Sequence, residues 1–118
     1  MPQITVDYSA DLADGFDRTG FAKALHEATV DIAAAKPPAC KSRFRPTEDI
    51  VVGPDTEGHA HVHVHIALLA GRTEETKARL TEAALELLRR YLKTADGIVL
   101  HASAEVRDLD VSYRKFEG

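Results

Sequence analysis

Three groups of residues have the types and spacing to do chemistry. Pro2 comes first, because removal of Met1 would leave its ring nitrogen as a secondary amine at the chain terminus. An α-amine titrates near 8, and neighbouring cations with partial burial favour its neutral form, so it could act as a general base near neutral pH. The bland reading is a strand start, where proline's missing N–H costs no ladder bond. The second group is Lys41, Arg43 and Arg45, spaced by two, which on a strand leave one face together. An arginine fork matches a carboxylate and a lysine supplies a point charge; the bland alternative is a solvated sheet edge decorated with cations. Arg72 follows Gly71 at the start of a predicted helix, where backbone amides would also favour an anion. The third group is the ladder His59, His61, His63 and His65. An H-x-H pair could hold zinc with Glu57 or with His101 approaching from the last strand. Neither C-x-x-C nor H-E-x-x-H is present to supply further ligands, so a polar or interface face is the simpler reading. Cys40, beside Lys41, has a mildly thiolate-favouring setting, although a lone cysteine is more often a packing residue. No G-x-S-x-G, Walker A or dinucleotide glycine pattern occurs, so the classical cofactor enzymes drop down the list.

The elements that must position these residues follow from hydrophobic periodicity. Ile4, Val6 and Tyr8 alternate with Gln3, Thr5 and Asp7, the pattern of a half-buried strand. From Thr19 to about Ala35, Phe21, Leu25, Ala28, Ile32 and Ala35 form one helical stripe, ended by Lys36, Pro37 and Pro38. Lys41 to Val52 reads as extended and interrupted at Pro46, and Pro54 to His59 as a loop. Val62, Val64, Ile66 and Leu68 alternate with the histidines in a second strong strand. The helix after it begins with Glu74 and Glu75, ends with Arg89, Arg90 and Lys93, and carries Leu80, Ala84, Leu87, Leu88 and Tyr91 inward. Gly97 punctuates before a last strand from Ile98 to Val106 and a polar tail with Tyr113, Arg114, Lys115 and Phe116.

Strand, helix, strand thus occurs twice, in halves of about 1–56 and 57–118, with no linker-like shift of composition between them. Crossovers of this kind are right-handed and give parallel pairs within each half. A ferredoxin-like sheet and a duplicated β-α-β sheet with helices on one face both satisfy the pattern. At 118 residues, 44% hydrophobic and 29% charged, the chain suits one domain, 1–118, large enough for a core without disulfides. A formal charge of -4 argues against a nucleic-acid surface. The uncharged run from Val62 to Gly71 is about half a membrane span, and the opening residues resemble no signal or transit peptide, so a cytoplasmic location is expected.

Together these features resemble the tautomerase superfamily, in particular its 5-carboxymethyl-2-hydroxymuconate isomerase branch. The likeness is carried by the opening M-P-Q-I-T-V, by K-S-R-F-R at Lys41 to Arg45, and by the stretch from His61 to Leu80. Within it, L-L-A-G-R-T-E-E-T-K-A-R-L resembles the short 4-oxalocrotonate tautomerase chains, whose equivalent strand starts with the catalytic proline; here the second half has lost it. The resemblance implies an α+β, duplicated β-α-β (MIF-like) fold, a mixed four-stranded sheet with two helices on one face. It further implies a homotrimer and a cofactor-independent tautomerase acting on a small unsaturated 2-hydroxy or 2-oxo acid, such as 5-carboxymethyl-2-hydroxymuconate. Pro2 would be the acid/base, and Lys41, Arg43 and Arg72 would bind substrate carboxylates and steady the enolate oxygen. Lys41 stands where the family has arginine. A non-catalytic oligomeric domain on the same scaffold and a small metal-binding protein using the His59 to His65 ladder are the competing readings.

Overall fold

A computed structural model describes residues 2–118; the expected removal of Met1 concerns a residue outside them. Four strands, β1 (Gln3–Ser9), β2 (Lys41–Thr47), β3 (His59–Leu68) and β4 (Val99–Asp108), alternate with two helices, α1 (Arg18–Ala33) and α2 (Glu74–Tyr91). They form one sheet in the order β2-β1-β3-β4. β1 runs parallel to β2, β3 parallel to β4, and the two pairs meet antiparallel along β1 and β3. This is the duplicated β-α-β sheet and not the ferredoxin-like one, since each half keeps its own two strands side by side.

The alternation in β1 and β3 becomes a two-sided sheet. Ile4, Val6, Val62, Val64, Ile66 and Leu68 are fully buried against Phe21 and Leu25 of α1 and Leu80, Ala84 and Leu88 of α2. The opposite face bears no helix and is polar. The registers lay Lys41, Gln3, Ala67 and Arg107 across it in one row, then Arg43, Thr5, His65 and Glu105, then Arg45, Asp7, His63 and Ser103. Pro46 lies inside β2 instead of interrupting it, because β2 is an edge strand paired only with β1.

Asp17 caps α1 by accepting the Gly20 N–H at 3.0 Å, and Thr73 caps α2 through Thr76 N at 3.1 Å. The two helices are stitched end to end: Asp17 N donates to Tyr91 O at 2.9 Å and Lys93 N to Gly15 O at 2.9 Å. Gly15 is required at that crossing, because a Cβ there would run into the Lys93 carbonyl oxygen. α1 stops at Ala33, short of the prolines, with Ala34 in the left-handed region at φ 58°. Its most buried stripe is Phe21, Leu25, Thr29 and Ala33, with Ala28 and Ile32 only half-buried. Thr29 belongs there despite its hydroxyl, which donates to Leu25 O at 2.7 Å and so enters the core already paired. Among the described residues no helix is long and apolar enough to cross a membrane.

Candidate active site

Pro2 lies immediately before β1 and is buried. Its carbonyl accepts the Lys41 N–H at 3.2 Å, which ties the chain start to the start of β2. The register that pairs Gln3 with both Lys41 and Ala67 brings the beginnings of β1 and β2 and the end of β3 to one end of the sheet. Arg72, in the turn after β3, belongs to the same end. Four sequence-predicted residues, Pro2, Lys41, Arg43 and Arg72, are therefore gathered by topology although they span most of the chain.

The cations there differ in what already holds them. Arg45 is neutralised: its guanidinium forks onto Asp7, Nε to Oδ1 at 2.7 Å and NH2 to Oδ2 at 3.0 Å. That hydrogen bond, aided by the charge of Arg45, holds the Asp7 carboxyl below its ordinary pKa. Arg43 is held by neutral partners, Thr5 Oγ1 at 3.1 Å and Gln3 Oε1 at 3.0 Å. Its charge is positioned and has no carboxylate partner among the described residues. Lys41 donates to Ala39 O at 3.4 Å and lies 3.8 Å from a Glu117 carboxylate oxygen. Arg72 does structural work: Nε donates to Ala33 O at 3.0 Å, at the carbonyl end of α1, and NH1 to Leu69 O at 3.1 Å. Among the described residues its NH2 has no partner. Spacing alone could not separate Arg43 from Arg45; the Asp7–Arg45 register does so.

Cys40 does not have the thiolate-favouring setting expected for it. Burial pushes its thiol above the ordinary value, outweighing the opposing charge of Lys41, and Sγ donates to Lys36 O at 3.7 Å. It is a packing residue.

The histidines occupy the helix-free face as a ladder, and the rings of His59 and His63 are engaged sideways. His63 reaches Ser103 Oγ at 2.7 Å and Glu105 Oε1 at 3.4 Å. His59 uses both nitrogens, Nε2 toward Asp55 Oδ2 at 3.0 Å and Nδ1 toward His101 Nε2 at 2.9 Å. His101 thus approaches the ladder as expected, but the carboxylate that meets His59 is Asp55 and not Glu57. Among the described residues no group of three or more His, Cys, Asp or Glu side chains is arranged to hold a metal ion. The contacts of Gln3, Tyr113 and Glu117 at the Pro2 end had no signal in periodicity or motif.

The sequence pattern of the family described as 5-carboxymethyl-2-hydroxymuconate isomerase matches residues 2–115. This chain belongs to that family. No curated protein matches the sequence, but solved structures match the fold. A 5-carboxymethyl-2-hydroxymuconate isomerase from Deinococcus radiodurans R1 superposes with a TM-score of 0.76 at 20% identity, over 98% of this chain and 90% of that one. The W0 fused 4-OT wild-type symmetric trimer gives 0.77 at 19% identity, over 98% and 93%. FG41 malonate semialdehyde decarboxylase, inhibited by 3-bromopropiolate, gives 0.62 at 23% identity, over 92% and 82%. The fold is thus the tautomerase fold, and a decarboxylase is among its carriers, so the architecture alone does not name a reaction. The 5-carboxymethyl-2-hydroxymuconate isomerase family narrows it to isomerases of the tautomerase type.

Proposed function

We propose that this chain is a cofactor-independent tautomerase that moves a proton within an unsaturated 2-hydroxy/2-oxo carboxylic acid, with 5-carboxymethyl-2-hydroxymuconate as the type of substrate. Removal of Met1 makes Pro2 the terminal residue, and its secondary amine accepts a proton from the dienol and returns it at a carbon further along the conjugated chain. The product is a conjugated ketone, and the amine ends as it began. Burial and nearby cations both disfavour an ammonium at that position. Arg43 and the NH2 group of Arg72 hold carboxylates, while Lys41 supplies a point charge to a carboxylate or to the enolate oxygen as charge builds there.

The observation that carries the reading is the convergence, at one sheet end, of Pro2 with Arg43, whose partners among the described residues are the neutral Gln3 and Thr5. Assembly belongs to the same proposal. The helix-free face is polar and uncovered in a single chain, and both edge strands are open, which supports a homotrimer; a cytoplasmic setting is part of the same proposal. Light scattering at micromolar concentration tests the assembly, and a monomer rejects it. The chemistry is tested by turnover of a 2-hydroxymuconate-type or phenylenolpyruvate-type acid by processed and Met1-retaining protein, each verified by mass. Equal activity of the two forms removes Pro2 from the mechanism.

A further inference from the structure

After β4 the chain does not leave the sheet. Leu109 N donates to Leu68 O at 2.6 Å at the end of β3. Asp110 then closes a turn, its carboxylate accepting Ser112 N at 2.8 Å and its carbonyl accepting Tyr113 N at 2.9 Å. Beyond the turn, the Tyr113 hydroxyl accepts from Gln3 Nε2 at 3.3 Å at the start of β1. Glu117 reaches Lys41 at the start of β2, Oε2 to Nζ at 3.8 Å, while its other oxygen lies 3.3 Å from Lys115 Nζ. The last ten residues therefore cross from one edge of the sheet to the other, over the end that carries Pro2.

The side-chain hydrogen bonds and ion pairs just named hold the crossing, and of its residues only Leu109 and Tyr113 are half-buried. Val111 and Phe116 are each 91% exposed, so no apolar side chain at those positions anchors the segment. The Lys41 and Glu117 side chains are 45% and 63% exposed, the setting in which an ion pair is weak and readily exchanged. Lys41 is also the cation on which the substrate reading places an anionic group. We propose that Glu117 is a specificity-determining residue: its carboxylate occupies Lys41 in the free protein, and a ligand carboxylate must displace it to bind there. This rests on the functional reading above for the class of the ligand, an acid with more than one carboxylate. Glu117 thereby lowers the apparent affinity of every ligand that engages Lys41 by the fraction of chains in which the cover is in place.

The test is an NMR titration of the Met1-processed protein with adipate, a saturated six-carbon dicarboxylate that cannot isomerise. Glu117→Gln removes the competing charge and keeps the shape, and it should bind adipate roughly two- to fivefold more tightly, the range expected for one exposed ion pair. In a Lys41→Gln background the same substitution should change nothing, because the competition runs through Lys41. Unchanged or weaker binding by Glu117→Gln overturns the proposal. So does an equal gain in the Lys41→Gln background, which would mark a general charge effect, and so does an absence of adipate binding to either chain. The titration needs no turnover, which separates the two claims. An inactive protein that shows the Glu117 effect refutes the tautomerase reading alone, and an active, Pro2-dependent protein without it refutes the cover alone.

Discussion

The two halves of this molecule are the same construction carried to different ends. Turning one half onto the other through the Val6–Val64 pair lays Ile4 on Val62 and Tyr8 on Ile66, and carries Pro2 onto Ala60. The parallel registers then carry Lys41 onto His101, Arg43 onto Ser103 and Arg45 onto Glu105. The helices agree: buried Phe21, Leu25 and Ala33 have the spacing of buried Leu80, Ala84 and Leu92. At the Pro2 end the fold presents a proline among cations. At the other end a cleft of about 580 Å³ is lined by Asp11, Glu48, Asp49, Glu57 and His59. A shared frame with opposite charge teaches that the interior face of each strand answers to the core, and the ends are free to diverge.

The comparison can be broken first at its proline. A chain that retains Met1 has an amide nitrogen at Pro2 with no basic lone pair, so its turnover should fall by about a hundredfold or more, the scale of a lost general base. Processed Pro2→Ala, with a primary amine, should keep a weaker activity. Full activity in the Met1-retaining chain would dissolve the distinction between the ends.

Next in size is the contrast between neighbouring arginines. Arg43→Ala should lower kcat/KM for a dicarboxylic enol by roughly tenfold or more, since a charge-assisted bond to substrate is lost. Arg45→Ala should change it less than about twofold, because Arg45 already spends its fork on Asp7. Equal losses in steady-state kinetics would mean that the Asp7 pairing does not decide which cation is available.

A smaller effect concerns the joint between helix and sheet in the first half. His26 bridges α1 to β2 through Ser42 Oγ at 2.7 Å, and burial lowers its pKa. The unfolded chain therefore takes up a proton as pH falls below about 6.5, before the folded chain does. Stability from this site is complete above that pH and is lost as pH falls through the folded value. Calorimetric Tm should decline from pH 7.5 toward pH 5, and His26→Gln should flatten that part of the profile. A variant with the wild-type slope would assign the loss elsewhere. Asp7, depressed by Arg45, acts in the same direction but only below its ordinary value near 3.8.

The smallest change is at the end of α1, where Ala34 holds φ 58° while its N–H closes the helix onto Thr29 and Val30. Ala34→Gly removes the Cβ penalty of that conformation and should raise stability by about 0.5–1 kcal/mol in denaturant melts. α2 closes on Leu92 in extended conformation and offers no such gain.

Much of this architecture was legible before folding. β1, β3 and α2 each bury one face, so their periodicity is strong, and Pro2, Lys41, Arg43 and Arg72 stood out by type and spacing. The misreadings have local causes. The α1 stripe shifted because Thr29 pairs its hydroxyl within the helix and so hides among buried residues that a hydropathy pattern ignores. β4 runs on to Asp108, beyond the expected Val106, because pairing with β3 continues to Leu68 whatever the polarity of its own side chains. For Cys40 the packing reading holds and only the thiolate-favouring setting does not, because neighbouring charge is visible in sequence and burial is not.

By itself the sequence determined which faces are apolar, where the chain turns, and which residues could carry a proton or meet a carboxylate, since these follow from side-chain chemistry and short-range periodicity. Tertiary structure decided which strands are neighbours, and with that which charges are spent. Asp7 neutralises Arg45 and spares Arg43 because β1 and β2 lie in one parallel register. Glu117 reaches Lys41 because the last residues cross the sheet end. Both pairings join residues far apart in the chain, and distance along the chain carries no electrostatic information until the fold closes it.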